Sequence, residues 1–358
     1  MIDVKSIKIP TYLPIIIVIV ILTWIINVKI TNPFWDKQPV MREYTQGHVG
    51  IIHKSPKFNI KLKPNQKIRL NNYPINKIKT FLQDNFSNNY NVNNKYLDYT
   101  LKKKGAVNIT LVEDNKIIGF IHSSPIYVYV GNKIIKFKYV DYLCIHEKYR
   151  NNYMAIVLIA SIIKVESRKQ PMMFKKDYSR LPYDYFISSH YYIKDLRKLN
   201  PDIPKNIKHL TPFNFYKYLS YTNTLLKRYN IKSLYSKREF FNIFLEKKVM
   251  EYLIVKNING FETIIIGKKN IYKNGDMILN CFEIDMVIGE VRYLKYVDKQ
   301  LSNYIKSNGY NFICVSAIGS NIKFIKDNDY TKNNKVYYYT YNFSMPDILP
   351  NECVLNIN

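Results

Sequence analysis

The sequence lacks several things that would have assigned it a chemistry at once. Its four cysteines (Cys144, Cys281, Cys314 and Cys353) show neither paired nor metal-like spacing, and each lies in an apolar or strand-like setting. They read as reduced thiols that pack, which argues against a disulfide scaffold and a cysteine metal centre. No cluster of metal ligands is visible in the sequence, so no metal is expected. Acidic residues number 27 against 54 basic ones, for a formal charge of +27. The lysines nevertheless form no block. They are scattered among Asn, Ile and Tyr along the whole chain, as a general compositional bias would scatter them, so nucleic acid is not an expected partner. There is also no readable internal repeat, and no small-residue cleavage site follows the apolar N-terminal run.

What is present excludes a disordered chain: 47% of residues are hydrophobic and 15% aromatic, with 33 tyrosines. At 358 residues the chain can hold two domains with proper cores. Residues 9–28 form a run of 20 without a charge, between Lys8 and Lys29. As a helix that run would extend about 30 Å, roughly a bilayer core. It predicts an uncleaved single-pass membrane anchor with the remaining chain on the cytoplasmic side, although Pro10 and Pro14 confine the helix to its later part.

The rest of the chain is organised around residues 139–164, YVDYLCIHEKYRNNYMAIVLIASIIK. Residues 139–145 are apolar and β-prone, a buried strand, and 147–152 make a polar break. From 153 to 163 nearly every residue is apolar, which predicts a helix buried on most faces and capped by Asn151 or Asn152. Its first backbone N–H groups would then face outward beside Lys148 and Arg150, a setting suited to a pyrophosphate.

Around this unit the pattern predicts a helix over 77–86, strands at 107–113, 116–123, 125–130 and 134–145, and Asp114-Asn115 as a tight turn. The Asn108-Ile109-Thr110 sequon falls inside a strand, which argues against glycosylation there. Residues 200–208, with Pro201 and Pro204, mark a boundary. Beyond it come helices at 212–227 and 237–246, strands at 251–256, 262–267 and 276–288, and a helix over 291–307 that stops at Asn308-Gly309. Residues 311–317, 322–326 and 335–343 complete an order that mirrors the first half. His190 reads as a packed or surface histidine.

Three short blocks carry a family resemblance. The Arg150-to-Ala155 run resembles the CoA-holding loop of GNAT-type acyltransferases, with Tyr153 where that loop has its middle Gly. More specifically, DYLCIHEKYRNNYMAIVLI resembles, without a gap, the N-F-L-C-V-H block of N-myristoyltransferases. Phe34-Trp35-Asp36-Lys37-Gln38-Pro39-Val40 resembles the F-W-D-T-Q-P-V motif that opens their catalytic core, and Tyr338 to Phe343 resembles their Y-Y-L-Y-N-W. From Asn342 to Asn358 the chain also keeps the family's length to its last residue.

The resemblance implies an α/β (α+β) fold of two tandem GNAT-like halves. Residues 31–203 would bind acyl-CoA and 204–358 the peptide, after a hydrophobic segment over 1–30. It implies transfer of a myristoyl group from myristoyl-CoA, as co-substrate, to proteins with an N-terminal glycine, and no permanently bound cofactor. The α-carboxylate of Asn358 would be the base, and the backbone N–H groups of Tyr142 and Leu143 the oxyanion hole. The acyl-CoA would lie along Phe34, Trp35, Asp141, Tyr142, Leu143, Cys144 and Ile145, then Lys148, Arg150, Asn151, Asn152, Tyr153 and Ala155. Departures fall in the CoA cradle, where Arg150-Asn151-Asn152-Tyr153 stands for R-S-K-R, and before the last strand, where 329–334 replaces a glycine-rich loop. Two other readings stay open: a non-catalytic acyl-CoA- or peptide-binding relative, and an N-acyltransferase with another acyl chain or acceptor.

Overall fold

The computed structural model describes residues 12–31, 33–36, 38–42, 49–52, 60–86, 90–91, 93–150, 153–166, 170–257, 259–274, 277–289, 292–346 and 348–355. One continuous sheet forms the molecule. It starts at Gln66–Leu70 and runs through Val107–Glu113, Lys116–Val130 and Lys133–Ile145 to Met172–Asp177. Next comes Thr331–Tyr341, then Ile187–Asp195, Phe312–Ser316, Met277–Gly289, Glu262–Asn274, Glu251–Lys256 and finally Ile207–His209. The late strand Thr331–Tyr341 therefore sits between two early ones. It pairs antiparallel with Met172–Asp177 on one side and Ile187–Asp195 on the other.

Alternation and β-branching produce the long hairpins. Lys116–Val130 and Lys133–Ile145 pair across Gly131, whose φ of +58° suits the turn. The first strand of that hairpin is unbroken through Pro125, where two strands were expected. Glu262–Asn274 and Met277–Gly289 form the matching hairpin of the second half. Gly267 is required there, because a Cβ would meet the Glu283 carbonyl oxygen and the Phe282 ring, each at 2.6 Å. A mostly buried helix follows each hairpin, Met154–Val165 after the first and Leu294–Ser307 after the second. Asn108 is buried in its strand, its amide donating to the Leu101 carbonyl at 2.9 Å.

The edge strand Gln66–Leu70, the helix Asn94–Leu101 and the central strands Met172–Asp177 and Ile187–Asp195 went unforeseen. The strand at 172–177 carries Lys175, Lys176 and Asp177, and that at 187–195 carries Ser188, Ser189, His190 and Lys194, where a buried strand would be apolar, so their sequences do not read as strands.

The expected membrane anchor over 9–28 is not supported. Residues 9–11 lie outside the described residues, and the helix runs over Leu13–Thr31. Its uncharged part, 13–28, is 16 residues, about 24 Å against the roughly 30 Å of a bilayer core. Among the described residues no helix is long and apolar enough to cross a membrane.

The C-terminal strand Cys353–Val354 pairs parallel with Ile231–Lys232 and packs against Gly319. Gly319 has φ +59°, and a Cβ there would lie 2.5 Å from the Val354 Cγ2. Gly319→Ala is expected to cost about 2 kcal/mol, from backbone strain and overpacking together. A urea unfolding midpoint would measure this, and the tail beyond 350 should become more susceptible to carboxypeptidase.

Candidate active site

The site forms where two parallel strands part. Lys133–Ile145 and Met172–Asp177 share only the pairs Lys138↔Met172 and Tyr139↔Met173. Beyond these, Met172–Asp177 stays with Thr331–Tyr341 up to Val336↔Asp177, and a wedge opens between the early strands. On one wall of the wedge the ladder is broken: Phe120 pairs with Cys144 and His122 with Asp141, so Tyr142 and Leu143 together face one residue. Tyr142 accordingly adopts φ +52°, a conformation a tyrosine takes only when its surroundings impose it. Its ring is held by Phe86 at 5.5 Å and His122 at 6.0 Å, while Leu143 is exposed.

This bulge is the expected oxyanion hole, and the structure adds a complication. The Tyr142 N–H donates to a carboxylate oxygen of Asp141 at 2.8 Å. A substrate carbonyl can take that donor only when Asp141 turns away. Burial raises the pKa of the Asp141 carboxyl, against the opposing pull of Lys175 and of this hydrogen bond.

Helix Met154–Val165 starts just past the bulge, but Asn151 and Asn152, expected to cap it, lie outside the described residues. Tyr153 occupies the cap position at φ +62°, with no side-chain hydrogen bond to the helix. A left-handed residue here explains why the GNAT loop favours glycine; tyrosine bears a strain of about 1 kcal/mol. The second half repeats the arrangement: Tyr293, at φ +64°, precedes Leu294–Ser307. Asp285 is skipped in the pairing of Ile266↔Met286 and Gly267↔Ile284.

Among the basic residues of the expected phosphate cradle, Lys148 is exposed. Arg150 is already engaged, its guanidinium donating to the Asn85 carbonyl at 2.9 Å and the Ile145 carbonyl at 3.2 Å. Ala155 and Ile145 are half-buried at the helix start and the strand end. Burial lifts the Cys144 thiol to about 12, which makes it a packing residue.

The two remote blocks meet at the same place. The helix Pro33–Asp36 carries Phe34 and Trp35 into the cluster that includes Met154, Val157 and Leu158. Trp35 stacks on Phe174 at 6.4 Å and lies 5.2 Å from the Tyr183 ring, and Phe174 stacks in turn on Tyr339 at 5.3 Å. Tyr341 donates to the Gln38 Oε1 at 2.9 Å, and the Asn342 N–H to the Pro39 carbonyl at 2.7 Å. Blocks 34–40 and 338–343, some 300 residues apart, thus form one wall beside the helix at 154–165.

Below the wedge lies a small chamber of about 60 Å³ lined by Lys175, Tyr191, Lys268, Glu283 and Asp285, with Val354 and Leu355 from the tail. Asn358 itself lies outside the described residues. Lys268 is 3.4 Å from Asp285 and sits over the Tyr96 ring at 4.8 Å. Burial alone would lower the pKa of its ammonium, but Asp285 and Glu283 more than reverse that. Lys175 is raised mainly by Tyr191, whose hydroxyl is 3.4 Å away. Burial raises Asp285 and Asp177. Sequence reading missed this set. The available signal was Glu283 and Asp285, two acids at i and i+2 on a strand that is otherwise apolar from 281 to 288.

With this geometry in place, comparison with known proteins is direct. Residues 65–178 match the family model described as Myristoyl-CoA:protein N-myristoyltransferase, N-terminal domain. A protein of Amsacta moorei entomopoxvirus, named provisionally as a glycylpeptide N-tetradecanoyltransferase, is 24% identical over 280 residues, covering 74% of this chain and 79% of that protein. The glycylpeptide N-tetradecanoyltransferase of Plasmodium falciparum is 25% identical over 246 residues, 63% of this chain but only 55% of its own length. Among solved structures, Saccharomyces cerevisiae N-myristoyltransferase with bound myristoyl-CoA superposes with a TM-score of 0.75 at 13% identity, covering 89% of this chain and 94% of that one.

A mixed sheet with a parallel pair that splits, a bulge at the split and a helix starting beside it defines an acyltransferase fold of the GNAT-like kind. Within that class, the chain is similar to the N-myristoyltransferase family, whose N-terminal-domain model matches residues 65–178.

Replacing Lys268 by Met should cost about 3 kcal/mol at neutral pH, since it leaves buried Asp285 without its cation. The Asp285 pKa, already raised in the folded state, would rise further. A carboxyl raised on folding binds more protons folded than unfolded, so the deficit should shrink as pH falls through that raised value. Urea unfolding of both proteins at pH 7 and pH 5 measures the difference.

Proposed function

We propose that this chain transfers a myristoyl group from myristoyl-CoA to the amine of an N-terminal glycine on a protein or peptide. The observation that carries this reading is the convergence of blocks 34–40, 141–155 and 338–343 on one wedge, with the bulge at Tyr142 and Leu143 at its mouth. Amide formation from a thioester requires a polarised carbonyl, a deprotonated amine and both reactants held in line.

In this reading the N–H groups of Tyr142 and Leu143 receive the carbonyl oxygen. Phe34 and Trp35 cover the acyl-CoA. Asp141, Cys144 and Ile145 line its path, and Lys148, Arg150 and the helix start at 151–155 hold the phosphates. Arg150 must leave Asn85 to take part. The α-carboxylate of Asn358, three residues beyond Leu355 at the chamber wall, is the proposed base. The chamber's own charges balance, Glu283 and Asp285 against Lys175 and Lys268, so the added α-carboxylate of Asn358 would give it the negative charge that favours an arriving ammonium. Residues 31–203 and 204–358 would serve as the acyl-CoA and peptide halves.

One observation favours a second reading, a relative that binds acyl-CoA without turnover: the Asp141 carboxylate occupies the Tyr142 N–H. The test incubates the protein with myristoyl-CoA and a peptide beginning with Gly, and follows acylated peptide and released CoA by mass spectrometry. Product is expected, and only with the Gly peptide. Binding of myristoyl-CoA without product would establish the second reading. Asp141→Ala, which frees the donor and removes a negative charge beside the developing oxyanion, should raise turnover about tenfold, or 1.4 kcal/mol. A fall in turnover would instead make Asp141 the amine's base.

A further inference from the structure

A cavity of about 1280 Å³ is lined by none of the residues assigned above to the acyl-transfer site. Three elements wall it: the helix Asn94–Leu101 with the loop to Gly105, the outer part of the hairpin over 126–136, and the segment 233–242. We propose that this groove is a docking site for an acidic peptide segment of a protein partner.

Its charge points one way. Seven basic side chains line it, among them Lys102, Lys103, Lys104, Lys136 and Arg238, against two acids, Asp98 and Glu239. Both acids are already matched, Asp98 by Lys79 at 3.1 Å and Lys102 at 3.3 Å, and Glu239 by Lys103 at 4.0 Å. Lys104, Lys136 and Arg238 are exposed and face no carboxylate among the described residues. The chain's basic bias is scattered in sequence, but folding gathers this share of it around one recess.

A second, independent observation comes from two other lining residues. Ser233 and Tyr235 are both more than nine-tenths buried, and the hydroxyl of each meets no hydrogen-bond partner among the described residues. Buried hydroxyls are ordinarily satisfied, because an unpaired one costs about 1–3 kcal/mol. Two of them in one basic groove suit carboxylate or phosphate oxygens.

A peptide fits better than the other polyanions. The volume exceeds the range of about 300–1,000 Å³ typical of small-molecule sites. The rim offers Tyr127 and Ile134, each 56% exposed, for apolar side chains between the acids. A nucleic acid would instead track a continuous basic stripe, whereas these charges surround a recess between three elements. The inference does not depend on acyl transfer.

The test is fluorescence anisotropy of a fluorescein-labelled glutamate-rich peptide with the full chain, with its glutamine counterpart as the neutral control. The glutamate peptide is expected to bind and the glutamine peptide not. The exposed triple variant Lys104→Glu, Lys136→Glu, Arg238→Glu should weaken binding at least tenfold. The control pair Lys323→Glu, Lys326→Glu on the separate helix Asn321–Lys326, which lines no part of the groove, should change it less than twofold. Tyr235→Phe should weaken it a few-fold with circular dichroism unchanged. Equal loss in the triple variant and the control pair would overturn the site, as would no binding at all. Tighter capture of single-stranded DNA or phosphatidylserine vesicles, lost in the same triple variant, would overturn the choice of a peptide.

Discussion

The strand Thr331–Tyr341 is the constraint on which the rest depends. By pairing with Met172–Asp177 it holds that strand away from Lys133–Ile145 once Tyr139 and Met173 have met, and the wedge exists because of that competition. The same strand seats Tyr339 against Phe174, and its Tyr341 fixes Gln38. The first half of the sequence cannot complete its own sheet. Its strands Met172–Asp177 and Ile187–Asp195 do not pair with each other, and a segment more than 130 residues later lies between them and pairs with both. Such pairing is long-range and slow, and it ties the two halves into one cooperative sheet.

The polar content of the site follows from this arrangement. Strands that line the chamber cannot be apolar on that face, so Lys175, Tyr191, Lys268, Glu283 and Asp285 take positions that elsewhere would hold Ile or Val. Charges so placed must match one another closely, because burial penalises each of them. Lys268 shows how the match is made: its ammonium lies 3.4 Å from the Asp285 carboxylate and over the face of the Tyr96 ring.

This explains which parts of the fold were legible. The hairpins, the bulged strand and the apolar helix after it follow from alternation and composition, and residues 107–145 and 262–307 fold nearly as their patterns say. Motif resemblance identified the segments at 34–40 and 338–343, and packing shows why they go together, since one is hydrogen-bonded to the other. The strands at 172–177 and 187–195 were illegible because their polar residues answer to the chamber, a feature of the assembled sheet. The helix at 13–31 was misread in its extent: an uncharged run of 20 residues does not ensure a helix of 20. The hold of Asp141 on the Tyr142 N–H is set by a backbone angle that no pattern of residue types reveals.

Eleven glycines serve the whole chain, and among the described residues ten others, four of them tyrosines, adopt left-handed backbone angles. Tyr142, Tyr153 and Tyr293 stand at the bulge and at the two helix starts. Tyr153 and Tyr293 are exposed, whereas at Tyr142, whose ring is buried, the shape of the turn is enforced by packing around the ring and no longer by the freedom of the backbone. Such a hinge cannot flex without first unseating its side chain. At this bulge a ligand therefore meets a backbone already set in place, and the rearrangement falls to side chains such as Asp141 and Arg150.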